Sequence, residues 1–513
     1  MSSLVPCEVG ALLWPLSGLG IDALPIWIVV IVFTLEVGIR VAVIGIIPDN
    51  RRPNTAMAWL LAIFFIPVVA LPLFLLIGRN ELSKRRQRRQ QRINDALLEA
   101  TSQMYVHDQL REYDEQLGGT AALNRKLGAF PIQEGNHLSL MPEYQDFFIS
   151  VAAEIDKAQD YVHVISYIVG EDPEYSGLVL SALERAAARG VTVRLLFDHL
   201  GTLRVRGYRR LRKRLQAASR QWPHFEWYRA LPVRPLKRRF SRLDLRNHRK
   251  IVVVDGEVAF TGSANLIEPH YQRRSAVRMN RRWVELNARV TGPAVTGLDI
   301  VFASDWYAEA DENLGPKLLV DLEADEAAAG GSLVQVVPSG PGYPHENNLR
   351  LFNDLIYQAT ERVIVCTPYL VPDDSLLYAL TNAAHRNVEV VVMVSRKADQ
   401  FTVQHAQQSY YAALLEAGVK ILRYPAPDVL HAKFMIVDDD VAVLGSSNMD
   451  MRSFSLNLEV TMMVVNDVNV AELYEIFAGY RAISEELHAE EWNSRPWHTR
   501  YLDNVFRLTA ALQ

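Results

Sequence analysis

Cysteine is almost missing from this chain: 513 residues carry only Cys7 and Cys366. Two thiols are too few for a disulfide framework or a thiolate metal site, and they place most of the chain in a reducing compartment. An excess of positive charge is missing as well. With 54 Lys and Arg against 59 Asp and Glu, the net charge of −5 argues against a surface built as a whole to hold nucleic acid. Lysine is scarce, 10 of the 54 basic residues, so a lysine that recurs at one place in a pattern carries weight. No acidic cluster suited to a metal stands out, and no cofactor is expected. What is present is apolar: 49% of the residues are hydrophobic and 22% charged, which excludes a disordered chain and suffices for two or three domains.

Two long apolar runs open the sequence, "PIWIVVIVFTLEVGIRVAVIGII" at about 25–47 and "TAMAWLLAIFFIPVVALPLFLLIG" at 55–78. Their lengths predict a two-helix transmembrane hairpin within residues 1–78. A signal peptide fits poorly, because no Lys or Arg precedes the first run and a second run follows. Glu36 and Arg40 stand one helical turn apart, where they can neutralise each other in the membrane. Arg79, Lys84, Arg85, Arg86, Arg88, Arg89 and Arg92 follow the second run, against Arg51 and Arg52 between the runs. This bias predicts that everything downstream faces the cytoplasm. Residues 79–125 read as a basic juxtamembrane linker, suited to lying along anionic headgroups or to forming a solvated helix face.

The rest of the chain repeats itself. "ALERAAARGVTVRLLF" from 182 aligns with "ALTNAAHRNVEVVVMV" from 379, and each follows an apolar strand, "YVHVISYIV" from 161 or "RVIVCTPYLV" from 362. Strand, helix, strand in tandem predicts an α/β fold of two halves with mixed, mostly parallel sheets. The expected domains are 126–330 and 331–513, divided in the Asp/Glu/Ala/Gly stretch 321–332. A second repeat carries the chemistry. "NHRKIVVVDGEVAFTGSAN" at 247–265 matches "LHAKFMIVDDDVAVLGSSN" at 430–448. In both, Lys lies at +2 from His, Asp at +7, Ser at +15 and Asn at +17, giving His248, Lys250, Asp255, Ser263 and Asn265, then His431, Lys433, Asp438, Ser446 and Asn448. The offset drops from 197 to 183, so the first half holds about 14 extra residues before its motif. One such match is weak; two with the same Ser and Asn behind them are not chance.

In an extended segment His and Lys two apart share a face, and a hairpin return brings Ser and Asn back beside them. Two such halves facing across a pseudo-twofold axis supply two Lys and two Asn for the oxygens of one phosphate, with a His on either side. That suits in-line displacement at a phosphodiester: one imidazole attacks phosphorus, the other protonates the leaving alkoxide and then deprotonates the acceptor.

This pattern resembles the phospholipase D superfamily, and within it the bacterial cardiolipin synthases. The resemblance rests on the paired motifs and on "RRPNTAMAWLLAIFFIPVVALPLFLLIGRN", "ARGVTVRLLFDHLGT", "PSGPGYPHENNLRLFNDLIYQA", "TPYLVPDDSL" and "GSSNMDMRSFSLNLEV". It implies tandem phospholipase D-like domains and a bacterial inner-membrane phosphatidyltransferase that joins two phosphatidylglycerols into cardiolipin, releasing glycerol, through a phosphatidyl-histidine intermediate. Carried over, His248 is the nucleophile and His431 the acid and base, Lys250 and Lys433 complete the catalytic set, and Asp255 and Asp438 fix the strand-end turns. Ser263, Asn265, Ser446 and Asn448 meet the substrate, and Glu459 and Glu285 orient the histidines. Ala70, "GSANLIEPHY" and Asn387 depart from the family pattern without touching the His, Lys or Asn positions.

Between residues 204 and 250 stand 17 Arg or Lys and two acidic residues, Glu226 and Asp244, with Trp222, Phe225, Trp227 and Tyr228 among them. This is read as a surface that docks on anionic lipid with its aromatics at headgroup level. Basic residues mixed with aromatics also hold single-stranded nucleic acid, so a nuclease of the superfamily is the competing reading, with hydrolytic phospholipase D and an inactive scaffold behind it. The membrane hairpin and the acidic balance favour phosphatidylglycerol and the membrane as partners and no nucleic acid; a homo-oligomer stays open.

Overall fold

The structure, a computed structural model, describes residues 25–49, 53–78, 84–100, 115–233, 244–315, 318, 331–343, 345–465 and 467–510. It forms two compact units, Met1–Asn80 and Glu81–Gln513. Cys7, Arg51, Arg52, Arg79 and most of the expected 321–332 boundary lie outside the described residues.

In the first unit, Ile26–Ile46 is the one helix among the described residues long and apolar enough to cross a membrane. Trp27, Val30, Ile31, Leu35 and Val41 are exposed along it, as befits a helix whose surroundings are apolar. Arg40 pairs with Glu36 at 2.5 Å, as their one-turn spacing predicts. The second apolar run is not one helix. It forms Pro53–Phe65 and Pro67–Ile77, separated at Ile66, whose φ of −137° and ψ of 60° leave the helical region. Pro67 has no N–H to give and crowds the residue before it, so the run breaks there.

The second unit is built on a sixteen-stranded sheet: fifteen strands follow one path whose order is nearly symmetric about its centre, and Arg246–Asn247 pairs off it. From one edge inward run Phe225–Ala230, Thr192–Asp198, Tyr161–Ser166, Ile251–Val254, Val258–Gly262, Asn287–Thr291 and Gln133–Met141. The second half repeats this outward from Ser332–Ser339: Asn457–Val465, Val441–Gly445, Phe434–Val437, Arg362–Cys366, Glu389–Ser395 and Lys420–Tyr424, with Glu485–Leu487 added at the edge. Gln133–Met141 and Ser332–Ser339 pair antiparallel and join the halves. The sheet is mixed: Tyr161–Ser166, Thr192–Asp198 and Phe225–Ala230 run parallel in the first half, as do Arg362–Cys366, Glu389–Ser395 and Lys420–Tyr424 in the second, with the expected crossover helices Ser176–Ala188 and Asp374–His385 after the first strand of each set, while the added edge strand Glu485–Leu487 is antiparallel. Around the centre the motif hairpins and their return strands pair antiparallel, so antiparallel neighbours are more numerous than the crossover pattern alone indicates. The departure at Asn387 is accommodated, since it takes the left-handed position after its helix (φ 67°) that Gly190 takes in the first half (φ 100°).

The motif strands are buried throughout, which is why they read as apolar runs. Asp255 and Asp438 sit at their far ends, in left-handed turns of φ 53° and 49°. Asp255 accepts from the backbone N–H of Gln159, Asp160 and Tyr161 at 2.7 to 2.9 Å. Asp438 does the same for Thr360, Glu361 and Arg362 at 2.8 to 2.9 Å.

The basic segments are used differently from the simplest expectation. In helix Lys84–Ala100, Arg86 pairs with Glu309 at 2.5 Å, Arg89 pairs with Asp311 and lies over the Tyr307 ring, and Gln90 accepts from Ser304 at 2.7 Å; Arg88 and Arg92 stay exposed. Part of this helix is therefore clamped to helix Ala294–Ala310. Helix Glu115–Lys126 meets the second half through Asn124 and Gln335 at 2.8 Å. The aromatics of the 204–250 stretch do not form an exposed row. Phe225 is buried and Trp227, on the same face of its strand, stacks on Phe197, while Tyr228, on the opposite face, stays 36% exposed and packs T-shaped with Trp306. The extra residues of the first half lie between Phe225–Ala230 and Arg246–Asn247, where the second half needs only the short link between Lys420–Tyr424 and Val429–Leu430; residues 234–243 of it lie outside the described residues.

Candidate active site

His248 and Lys250 lie just before strand Ile251–Val254, and His431 and Lys433 just before Phe434–Val437. Each stretch crosses to the opposite half. Arg246–Asn247 pairs parallel with Asn457–Leu458, and the His248 N–H donates to Leu458 O at 2.9 Å. Val429–Leu430 pairs parallel with Trp283–Val284, and the His431 N–H donates to Val284 O at 2.7 Å. The side chains follow. Glu459 Oε1 and Oε2 both lie 3.0 Å from His248 Nδ1, and Glu285 Oε2 lies 2.7 Å from His431 Nδ1. Each glutamate thus orients the histidine of the other half. With Nδ1–H given to a carboxylate, each ring keeps its Nε2 lone pair.

All six of these His, Lys and Glu side chains are buried. Burial pushes His248 down to about 4 against the upward pull of Glu459, and pushes His431 down against Glu285. The imidazoles are therefore neutral near pH 7. Burial also lowers Lys250 to about 7 and Lys433 to about 8, with the neighbouring glutamates opposing. Burial by itself would raise Glu285, but His431 and Lys433 outweigh it and hold the carboxyl at about 2; Glu459 is lowered in the same way by His248 and Lys250. Two lysines and two glutamates leave the empty cluster near charge balance. An arriving phosphodiester brings one negative charge, which favours a proton on one imidazole.

Lys250 Nζ donates to the His248 carbonyl at 2.5 Å and Lys433 Nζ to the His431 carbonyl at 2.6 Å. One donor of each ammonium is used, and the others remain to meet phosphate oxygens. The serines brace the glutamate strands. Ser263 Oγ accepts from Leu286 N at 2.8 Å, while Ser446 Oγ donates to Glu459 Oε2 at 2.5 Å and accepts from Val460 N at 3.0 Å. Asn265 donates to the Tyr271 hydroxyl at 2.9 Å and accepts from Ile168 N at 3.1 Å. Asn448 donates to Asp450 at 3.0 Å, leaving its buried Oδ1 without a partner. Asp255 and Asp438, at the far strand ends, do not join the cluster.

A family model described as the cardiolipin synthase, phospholipase D-like domain matches residues 151–306 and 352–481. The chain belongs to the cardiolipin synthase family. Membership makes it an enzyme of the phosphatidyltransferase class within the phospholipase D superfamily. A second model, for the phospholipase D-nuclease N-terminal region, matches residues 39–79. Cardiolipin synthase A of Proteus mirabilis is 31% identical over 465 residues, 89% of this chain and 92% of its own. The Pectobacterium atrosepticum protein of that name is 32% identical over 483 residues, covering 93% and 96%. The crystal structure of phosphatidylserine synthase from Haemophilus influenzae shares the fold at a TM-score of 0.57 and 14% identity, over 77% of this chain and all of that one.

Several residues that shape this family site escape the motif reading. Tyr271 donates to Glu285 Oε1 at 2.7 Å and packs T-shaped with His431, ring centres 6.2 Å apart; the Tyr167 ring packs T-shaped with His248 at 5.0 Å. Ser453 and Asn457 add donors to Glu459 at 3.0 and 3.3 Å. Arg249, between His248 and Lys250, turns to the other face, pairs with Asp305 at 2.8 Å and donates to Glu459 O at 2.9 Å. Its counterpart is Ala432, so "HRK" against "HAK" was the signal: a charge at a position that alternation buries.

Proposed function

We propose that this enzyme joins two phosphatidylglycerol molecules into cardiolipin and releases glycerol. The observation that carries the proposal is the crossed pairing of His248 with Glu459 and His431 with Glu285, which prepares two imidazoles at one site of charge-balanced lysines. His248 Nε2 attacks phosphorus, its positive charge offset by Glu459. The P–O bond to glycerol breaks, and His431 gives that oxygen its proton. His431 then takes the proton from the hydroxyl of a second phosphatidylglycerol, whose oxygen attacks phosphorus and frees His248. Lys250 and Lys433 hold the phosphoryl oxygens as charge builds, with Asn265 and Asn448 at the rim of the same site. Glu285 and Glu459 fix the tautomers.

Residues 1–78 anchor the chain in the bilayer, with the broken second run as a second crossing; 79–125 link it to domains 126–330 and 331–513, which face the cytoplasm. An apolar anchor and a phosphatidyltransferase family favour this over a nuclease. The test is to reconstitute the full chain in phosphatidylglycerol vesicles with a chelator and no nucleotide, and to identify the products. Cardiolipin with equimolar glycerol is expected. Phosphatidic acid would make the enzyme a hydrolase, and no lipid product would overturn the proposal.

A further inference from the structure

Away from the histidines, a surface cavity of about 580 Å³ is lined by Arg206, Gly207, Arg210, Gln272, Arg274, Val277 and Arg278. Four of these seven residues are arginines, brought to one cavity by two elements, the entrance of helix Tyr208–Gln221 and the short helix Arg274–Arg278. Like charges gathered on one cavity repel one another unless an anion joins them. Among the described residues, Glu171 is the one carboxylate within reach of the four, 4.0 Å from Arg210, and Arg206, Arg274 and Arg278 have no acidic partner. Their neighbour Arg273 shows the contrast: it turns away, pairs with Asp399 at 3.0 Å and lies over the Trp283 ring.

Two further features fit an anion. Gly207 precedes the fourteen-residue helix in the left-handed conformation, φ 86°, and a Cβ there would stand 3.3 Å from an Arg210 nitrogen. The backbone thus turns tightly under the arginines and presents the positive end of the helix dipole beside them. The rim is apolar at Val277, which is 58% exposed. A free phosphate has no use for that rim, whereas the glycerol and acyl portions of a lipid do.

We propose that this cavity is a second anion site, which binds the phosphate of a lipid headgroup apart from the phosphate that reacts. It does not depend on which histidine is the nucleophile. Gln272, in its wall, directly follows Tyr271, which donates to Glu285, the carboxylate bonded to His431 of the other half; the cavity itself belongs to the first half.

The experiment uses the full chain in mixed micelles of a neutral detergent, with phosphatidylglycerol mole fraction as the variable. The variant is Arg206→Gln with Arg278→Gln, and lipid phosphatidyltransfer or hydrolysis, whichever product forms, is the rate measured. The mole fraction for half-maximal rate should rise several-fold, about the loss of one to two phosphate contacts at a partly exposed site, while the maximal rate stays within about twofold. The Arg206→Lys, Arg278→Lys variant should recover most of the loss. Inorganic phosphate at millimolar concentration should compete weakly; strong competition in the wild type, absent in the Gln variant, would reassign the site to free phosphate and overturn the lipid assignment. Unchanged half-saturation in the Gln variant, or a fall in maximal rate alone, would overturn the site altogether. If the wild type itself makes no product, the proposed function fails, and direct binding of short-chain phosphatidylglycerol to the two proteins decides the anion site on its own.

Discussion

Replacing Glu459 by glutamine tests the crossed pairing with little change of shape. Four donors converge on this buried carboxylate: His248 Nδ1, Ser446, Ser453 and Asn457. The amide offers one oxygen and two N–H donors to the same four. Where its nitrogen meets Nδ1, the imidazole proton moves to Nε2 and the attacking lone pair is lost. Where its oxygen does, the charge that balances the phosphorylated imidazole is still gone. A wrong tautomer or an unbalanced imidazolium costs about 10² to 10⁴ in rate, or about 3 to 5 kcal/mol of barrier. A phosphatidyl ester of p-nitrophenol separates this step from leaving-group protonation, because that phenolate departs without a proton. In Glu459→Gln, first-turnover release of p-nitrophenolate should fall by about 10² to 10⁴. Glu285→Gln acts through His431 and should stay within about tenfold on this ester while losing about 10² or more on phosphatidylglycerol. Thermal unfolding of both variants checks that they are folded. The opposite assignment of the two variants, or near-normal release in Glu459→Gln, would refute the crossed roles.

The dependence on pH follows from the same burial. Below about 4, His248 is protonated and cannot attack, and above about 7 to 8 Lys250 and Lys433 lose the charge that holds phosphate. His431 must also hold the proton it gives to the leaving oxygen, and burial lowers it from its ordinary range; the profile of kcat/KM should therefore rise as His248 loses its proton and fall as His431 loses its own, with a further fall above about 7 to 8 as the lysines discharge. The alkaline limb of kcat should lie higher, because bound phosphate stabilises both ammonium groups; an alkaline limb identical in both profiles would contradict this. Asp438→Ala leaves three backbone N–H groups without their carboxylate and should destabilise the fold by about 1 to 3 kcal/mol, read as a lower melting temperature, with kcat at low temperature within a few-fold. A large loss of kcat in a fully stable protein would place Asp438 in the chemistry instead.

Much of this was legible in the sequence, for physical reasons that differ by residue. His248, Lys250, His431 and Lys433 announced themselves because a scarce residue recurred at one spacing. The crossover strands and helices followed from periodicity; the positions of Asp255 and Asp438 followed from the repeat, and their role in the strand-end turns only from the family resemblance. Glu285 and Glu459 were named from the family resemblance, but which histidine each one meets was not legible, because the sequence ranks residues along one chain while the sheet brings Leu458 and Val284 to the opposite half's motif. Tyr271 joins through an irregular segment of left-handed residues, φ 54° and 53° at Tyr271 and Gln272, which no period describes. The break in the second apolar run was readable at Ile66–Pro67 but is hidden by hydropathy, which averages over it. The exposed charges of the 204–250 stretch were legible as charge, whereas the burial of Phe225 and the half-burial of Trp227 depended on which face of the strand met the core.

The central claim is that the two halves divide the work, His248 forming the covalent bond to phosphorus and His431 carrying the proton. It is tested most directly by mixing His248→Asn and His431→Asn variants separately with phosphatidylglycerol labelled at phosphorus, quenching in denaturant at alkaline pH, where phosphohistidine survives, and counting label on the protein. Residual label on His431→Asn and none on His248→Asn is the predicted result. Label on His248→Asn, or equal label on both, would contradict the division.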